Sequence, residues 1–137
     1  MNIMIKIALS GLLLTMALSI NAQSKGQIKE HNIKSTTVTE FNYESGRESK
    51  KKESFEKFNA KGQVVESIDY DKAGKQKERI EFDYNEFNDC VEERIYNEGD
   101  KLEKVYKYTY KGELKQTKEK YDAKGKLLWK KVYSYEM

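Results

Sequence analysis

The sequence predicts an all-β protein, an antiparallel meander of about eight strands built from β-hairpin repeats in a single twisted or partly rolled sheet. The first observation is a recurring phrase, in which an aromatic residue is followed by Asn or Asp and then by glycine. The second is an apolar–polar alternation with a period of two between the phrases, which is typical of half-buried strands. The phrases are Phe58–Gly62, Tyr70–Gly74, Tyr96–Gly99 and Tyr121–Gly125.

The glycines mark the turns between the strands. Glycine tolerates the positive φ angles that tight hairpin turns demand. Where the cadence lacks a glycine, the chain supplies Asn88 and Asp89, which are the next most tolerant residue types in that conformation. Since the loops are short, strands that are adjacent in sequence are expected to pair. Six of the eight glycines fall at predicted turns, namely Gly46, Gly62, Gly74, Gly99, Gly112 and Gly125.

The strands follow one another along residues 36–137. A first, longer hairpin is predicted over residues 36–43 and 49–58. In the later segments, β-branched and aromatic residues alternate with polar ones, and no segment after residue 22 has a helical period. The alternating sets are Val64, Ile68 and Tyr70; Ile80, Phe82 and Tyr84; Leu102, Lys104, Tyr106, Tyr108 and Tyr110; and Leu127, Trp129, Tyr133 and Tyr135.

Residues 1–22 are predicted to be a signal peptide. Lys6 precedes an apolar run over residues 7–20, which is too short for a comfortable membrane span. Ala22 is a small residue at a plausible cleavage point, and cleavage near Ser19 is the alternative. No cysteine follows the run, so a lipoprotein anchor is not expected. The protein is therefore expected to be exported, to the periplasm or to the cell exterior.

Two parts are expected after the signal peptide. Residues 23–35 are polar and predict a flexible N-terminal segment, and residues 36–137 predict the β-hairpin repeat domain. A chain of about 115 residues has the size of one domain and cannot easily make two full sheets of such strands. The apolar face of a single sheet must be covered by curling, by folding over itself or by dimerising. The way in which it is covered decides which aromatic residues are free to bind.

The charge balance argues against a nucleic-acid binder. The chain carries 26 Lys and Arg against 23 Asp and Glu, a net charge of +3. Nucleic-acid-binding domains are usually strongly basic and use arginine for phosphate and base contacts. Here only Arg47, Arg79 and Arg94 carry guanidinium groups, and the lysines are interspersed with glutamates. The densest cluster, residues 50–52, is expected at the tip or on the outer face of the first hairpin.

Cys90 is the single cysteine, so it cannot form an intrachain disulfide. It lies six residues after Tyr84, a position that holds Val64 after Phe58 and Leu102 after Tyr96. The slot predicts a small buried hydrophobic residue. A free thiol that pairs between two chains is the alternative.

The sequence offers little chemistry for catalysis. His31 is the only histidine, and it lies before the repeats begin. Neither a nucleophilic triad nor a zinc site has its usual spacing. Neighbouring carboxylates such as Asp69 and Asp71 are expected to pair with lysines on a solvated face, although two carboxylates across a cleft could serve glycoside hydrolysis. An enzyme, a cofactor and a metal site are therefore not expected.

The recurring phrases resemble the YD repeats of bacterial RHS-type surface proteins. The phrases concerned are Tyr70–Gly74, Tyr96–Gly99 and Tyr121–Gly125. The end of the signal peptide, residues 21–23, is similar to those of exported Bacteroidetes proteins. The resemblance implies a small secreted Bacteroidetes repeat protein from a family of unknown function, with a β-repeat scaffold and no catalytic residues to carry over.

The aromatic residues of the last units are the candidate binding surface. Tyrosine and tryptophan combine a rigid apolar ring with a polar tip, which suits stacking on sugars or anchoring a protein. The alternative is that they form the core of the sheet. The candidates are Tyr106, Tyr108, Tyr110, Trp129, Tyr133 and Tyr135.

Three functions remain open. The leading hypothesis is a secreted, non-catalytic β-repeat module that binds an envelope protein or a polysaccharide. The second is a self-associating envelope protein that forms a homodimer through its apolar face or an edge strand. The third is a carbohydrate-active enzyme. In the last strand, residues 127–129 would form an exposed apolar edge that can pair with another chain. Lys126, Lys130 and Lys131 are interpreted as charges that prevent such edge-to-edge pairing.

Overall fold

The computed structural model describes residues 23–137, which form one short helix and eight strands. The predicted signal peptide, residues 1–22, lies outside the described residues. Over residues 23–137, no helix has the length and apolar character needed to cross a membrane. The elements are α1 (Lys25–Glu30), β1 (Ser35–Asn42), β2 (Ser49–Phe58), β3 (Val64–Tyr70), β4 (Gln76–Tyr84), β5 (Cys90–Tyr96), β6 (Leu102–Lys111), β7 (Leu114–Asp122) and β8 (Leu127–Val132).

The eight strands form one sheet in sequence order, from β1 to β8, and every neighbouring pair is antiparallel. This confirms the predicted fold class. The first hairpin occupies the predicted residues to within one position at each end. Within the described part of the chain the sheet is open, with β1 and β8 as its two edges.

Five of the turns are built in the same way around an Asn or Asp that follows an aromatic residue. At Asn59, the side-chain oxygen accepts hydrogen bonds from the backbone N–H groups of Lys61 and Gln63, at 3.0 Å each. Such side-chain bonds replace backbone pairing and stabilise a tight turn. The same two bonds recur at Asp71, Asn85, Asn97 and Asp122.

The fourth residue of each of these turns has a positive φ. Asn88, where the sequence has no glycine, has a φ of 67°, which confirms that prediction. The assignment of Gly99 to the same role was wrong. The residue with positive φ in that turn is Asp100, at 58°. The turn begins at Asn97, so Asp100 is its fourth residue and Gly99 only its third. The carboxylate of Asp100 bonds to Arg79, which accounts for a non-glycine residue there.

The aromatic residue of each phrase lies at a shift in strand register. Tyr84 pairs with Cys90, although Asp83 pairs with Glu92, so one residue of β5 is left over as a β-bulge. The same shift occurs at Phe58, Tyr70, Tyr96 and Tyr121, each paired with the residue six positions later. The six-residue spacing in the sequence is therefore the cross-strand partner across each turn.

The two faces of the sheet differ in character. Side chains at directly paired positions lie on the same face. We call one side the tyrosine face, defined by Ile80, Phe82, Ile95, Tyr106, Tyr108 and Trp129, and the other the ion-pair face, defined by Glu66, Arg79, Glu81, Asp83, Glu92 and Arg94.

The core lies on the tyrosine face and is thin. Ile80, Phe82 and Ile95 are buried there, and Val64 and Tyr106 are among the half-buried side chains packed against them. No described side chain is less than 2% exposed. A single sheet has no second layer to bury its face completely, so most apolar side chains keep some contact with solvent.

The helix α1 forms in the segment that the sequence predicts to be flexible and without helical period. A capping box explains it, because the side chains of Ser24 and Gln27 each bond to the backbone N–H of the other. The helix buries Ile28 and packs against the β2–β3 turn, where a Cβ on Gly62 would lie 2.6 Å from the carbonyl oxygen of Lys25. Six residues are too few to show a helical period in the sequence.

A lysine and aromatic surface as the candidate binding site

Two of the six predicted aromatic residues meet on the tyrosine face. The rings of Tyr106 on β6 and Trp129 on β8 lie with their centroids 6.0 Å apart and their planes at 47°. Lys120 of β7 is paired with both of them across the sheet. Tyr108, two residues further along β6, is 8% exposed, while Tyr106 and Trp129 are half-buried. These three rings therefore form a continuous patch at the C-terminal half of the sheet.

Two other candidates use their hydroxyl groups to tie strands together, and one of them, Tyr135, is also exposed. The hydroxyl of Tyr110 donates a hydrogen bond to the carbonyl oxygen of Cys90 at 2.8 Å. The hydroxyl of Tyr135 donates to the carbonyl oxygen of Lys115 at 2.6 Å. Each bond ties the end of one strand to the start of the strand before it. Tyr133 continues the pairing of β8, since its backbone N–H donates to the carbonyl of Gln116 at 2.9 Å.

Sequence reasoning missed the lysines that accompany the rings. The ammonium group of Lys118 lies 4.5 Å from the ring centroid of Tyr106 and 5.5 Å from that of Tyr108. Lys115 lies 4.6 Å from the ring of Tyr108, and Lys131 lies 5.0 Å from the ring of Trp129. Such cation–π contacts hold an ammonium group against an aromatic face. We call Tyr106, Tyr108, Lys115, Lys118, Trp129 and Lys131 together the lysine–aromatic surface.

The register places two of these lysines directly opposite each other. Lys118 of β7 is paired with Tyr108 on one side and with Lys131 of β8 on the other. Like charges at directly opposite positions on one face are destabilising. Within residues 23–137, no carboxylate lies within 4.0 Å of the ammonium group of Lys115, Lys118 or Lys131. The surface therefore concentrates positive charge without a close ion pair, and Glu93 offsets part of that charge from the same face.

Burial, Glu93 and the neighbouring lysines all act on the pKa of Lys118. Burial lowers the pKa of its ammonium group below the ordinary lysine value, and the charges of Lys115 and Lys131 lower it further. Glu93, on the same face, acts in the opposite direction. An anion placed beside Lys118 would relieve the repulsion and raise that pKa again.

A cleft of about 340 Å³ adjoins the lysine–aromatic surface, and we call it the Glu93 cleft. Burial raises the pKa of the Glu93 carboxyl above its usual value, against the influence of Lys118. Its walls include the rings of Phe82, Tyr84, Tyr108 and Tyr110 together with Val64, Cys90 and Lys115.

Cys90 lies in this cleft, packed against the buried core cluster. The sequence predicts a small buried hydrophobic residue in this slot, and the structure places Cys90 there half-buried. Burial and the nearby charge of Glu93 raise the pKa of its thiol to about 12. The thiol is therefore protonated at neutral pH and is a poor nucleophile, because the thiolate is the reactive form.

Both arginines of the ion-pair face are paired with carboxylates. Arg94 contacts Glu81, Asp83 and Glu92 at once, with N–O distances of 3.0 Å to Glu81 and 2.9 Å to Glu92. Arg79 contacts Glu81, lies 3.3 Å from Glu66 and 2.8 Å from Asp100. It also stacks 3.9 Å from the ring centroid of Tyr96. In contrast to the lysine–aromatic surface, this face carries an excess of negative charge, since five carboxylates surround its two arginines.

The remaining candidates for chemistry do not converge. His31 is exposed in the cap that ends α1, whereas Cys90 lies in the cleft between β4 and β6. In the described part of the chain, no three side chains of His, Cys, Asp or Glu are grouped as metal ligands would be. The arrangement as a whole can bind and orient a charged partner.

Comparison with known proteins gives distant structural likenesses. No protein-family model matches the chain, and no curated protein matches it. A solved structure of a DUF3836 family protein from Parabacteroides distasonis ATCC 8503 is 15% identical and aligns over 66% of this chain and 78% of its own, with a TM-score of 0.34. At that distance the likeness assigns neither a family nor a function.

Proposed function

We propose that the protein is an exported, non-catalytic β-repeat module that binds a polysaccharide of the cell envelope through its lysine–aromatic surface. The observation that carries the proposal is the Lys118–Lys131 pair, two like charges in direct register among the rings of Tyr106, Tyr108 and Trp129. Like charges held together beside aromatic rings favour the binding of an anionic ligand, since such a ligand relieves the repulsion between the two ammonium groups.

Export and kinship belong to the same proposal and have separate support. Export is supported by the charged start and apolar run of residues 1–22. Kinship to YD repeats is supported by the aromatic, Asn or Asp and glycine phrases and by the identical turns that they form. The high thiol pKa of Cys90 and the distant placement of His31 favour a binding role over nucleophilic catalysis.

Fluorescence of Trp129 tests the proposed surface directly, because it is the only tryptophan. We expect envelope polysaccharide added to the purified protein to change the emission in a saturable way. Tyr106→Ala removes the neighbouring ring and should weaken binding, whereas Tyr43→Ala, in the exposed β1–β2 turn, should not. Binding that is equal in both variants would place the ligand elsewhere.

Self-association is the second candidate, and the charge pattern of the tyrosine face favours it. The β2–β4 half of that face carries Glu56, Asp69 and Glu78, and the β6–β8 half carries the lysines. Burial raises the pKa of Glu56, and the charge of Asp69 raises it further. A two-fold dimer would set each half against its opposite and cover the thin core between them.

Light scattering over a concentration series, with reductant present, tests this candidate. A dimer should form and should dissociate in the Lys118→Glu, Lys131→Glu double variant, because the β6–β8 half would then lose its excess of positive charge. A wild-type protein that stays monomeric at every concentration would rule it out.

A further inference from the structure

We propose that the ligand of the lysine–aromatic surface is an acidic polysaccharide, a linear glycan whose units carry carboxylate or phosphate groups. The inference deepens the proposed function and rests on it. It concerns the class of glycan that the surface selects, and its starting point is the geometry of the positive charges.

The lysines form an ordered array. Lys118 and Lys120 lie two residues apart on β7 and on the same face, so their Cα atoms are separated by about 6.5–7 Å along the strand. Lys131 lies one strand away from Lys118, across about 4.8 Å. A polymer with regularly spaced anionic groups can contact several members of such an array at once.

The charges in this array make no close ion pair, and Glu93 is the carboxylate that attracts Lys118 and Lys115 from the same face. Lys130, on the opposite face of β8, lies 3.2 Å from Glu119, and Lys51 lies 4.0 Å from Glu40. Lys115, Lys118 and Lys131 have no such carboxylate within the described residues and are held at rings instead. The ring contacts keep each ammonium group in place without removing its charge, which leaves it available to an anion.

The aromatic rings favour a glycan over an acidic protein as the ligand. Tyr106 and Trp129 are half-buried and lie side by side with Lys120 between them, so they present two neighbouring aromatic rings beside the lysines. Apolar faces of sugar rings stack on aromatic side chains, while protein interfaces depend on anchors that fill pockets. Anionic groups on such sugars would reach the flanking lysines.

The acidic half of the tyrosine face limits where the glycan can lie. Asp69 and Glu78 are directly opposite each other on β3 and β4, and Glu56 lies on β2 beside them. A polyanion is repelled from these strands and is confined to β6–β8. The chain is therefore expected to run over the C-terminal half of the sheet only.

The test is a titration of the purified protein, followed by Trp129 fluorescence, with four defined polymers. Polygalacturonate supplies carboxylates on a glycan and a teichoic-acid-type polymer supplies phosphates. Dextran is a neutral glycan, and polyglutamate is an acidic polypeptide. We expect saturable binding of at least one acidic glycan that weakens with added salt, and binding of dextran and polyglutamate at least about tenfold weaker.

Charge-removing variants locate the binding. The double variant Lys118→Gln, Lys131→Gln should bind the acidic glycan at least about tenfold more weakly than the wild type. Lys72→Gln with Lys75→Gln removes the same charge from the exposed β3–β4 turn and should change affinity by less than about twofold. Equal losses in the two double variants would overturn the assignment to this surface.

The outcomes separate the two proposals. Dextran binding as tight as that of the acidic glycans, lost in Tyr106→Ala, would overturn the acidic class and leave the polysaccharide function standing. If polyglutamate binds as tightly as the best glycan, the assignment of a glycan ligand is overturned in favour of an acidic protein. Failure of all the glycans, including extracted envelope polysaccharide, would overturn the proposed function itself.

Discussion

Three tyrosines, Tyr84, Tyr110 and Tyr135, perform the same task at three places in the sheet. Each lies near the end of an even-numbered strand and donates its hydroxyl hydrogen to a carbonyl at the start of the strand before, at 2.7, 2.8 and 2.6 Å respectively. In each case the acceptor lies 20 residues earlier in the chain. Each hydroxyl bond ties the end of its strand to the start of the strand before, so these tyrosines belong to the scaffold.

Removal of one such hydroxyl has a predictable cost. Tyr110→Phe loses the bond to Cys90 and is expected to lower the free energy of unfolding by about 0.5–1.5 kcal/mol. Chemical denaturation measures the change. Tyr43→Phe is the matched control, since Tyr43 is 62% exposed, and its midpoint should stay unchanged. Equal midpoints for both variants would show that the hydroxyl of Tyr110 adds nothing.

Glu93 is a residue whose burial acts against the folded state. Because its pKa is raised in the fold, ionisation costs stability as the pH rises from the ordinary carboxyl range through the raised value. Glu93→Gln cannot ionise and should be more stable than the wild type near neutral pH, with the gain disappearing under acidic conditions where Glu93 is protonated. Thermal unfolding from pH 4 to 7 measures the difference. In Glu98→Gln, an exposed turn variant, the difference from wild type should stay constant with pH.

At the scale of elements, the unit of construction is the turn together with the bulge beside it. An aromatic residue marks the bulge, and the Asn or Asp after it bonds to two backbone N–H groups. The residue three positions after that Asn or Asp takes a positive φ. Counting from Asn97 puts this requirement on Asp100 and releases Gly99 from it.

The turn register can be tested with two alanine substitutions. Gly74 has a φ of 75° and no atom within 4 Å of an added Cβ, so Gly74→Ala introduces backbone strain alone. We expect it to lose about 1 kcal/mol of stability. Gly99→Ala lies in the same kind of turn without a positive φ and should change stability by less than about 0.5 kcal/mol. A larger loss at Gly99 would restore it as the positive-φ residue.

At the scale of the whole molecule, one sheet carries two surfaces of opposite design. The ion-pair face satisfies its charges internally around Arg79 and Arg94. The tyrosine face holds a thin core in its middle, with carboxylates on one side and lysines on the other. A single layer exposes both faces to solvent, and charge pairing on the ion-pair face keeps that side compatible with water.

The ion-pair face predicts acid sensitivity. The hydrogen bonds from Arg94 lower the pKa of Asp83, and those from Arg79 and Arg94 outweigh burial to lower the pKa of Glu81. A carboxyl with a lowered pKa contributes stability above its ordinary pKa and loses it as the pH falls through the lowered value. The wild type should therefore unfold at a lower temperature when the pH is below about 4.

The arginines supply the control for that experiment. In Arg94→Gln the loss of stability at low pH should be smaller, because the ionised carboxylates of Asp83 and Glu81 are no longer stabilised by the guanidinium group of Arg94. Arg47→Gln removes an exposed arginine in the β1–β2 turn and should leave the pH profile of the wild type unchanged. Profiles that coincide for all three proteins would contradict the role assigned to Arg94.

The sequence by itself determined the strands, their order and the turns. Alternation, the aromatic cadence and short loops are local properties, and the six-residue spacing from Tyr84 to Cys90 is a cross-strand pair across one turn. Only the tertiary structure decided what each aromatic residue does. The hydroxyl bond of Tyr110, the meeting of Tyr106 with Trp129, and the crowding of Lys118 against Lys131 depend on register between strands. Bulges shift that register by one residue, and a shift of one residue moves a side chain to the other face of the sheet.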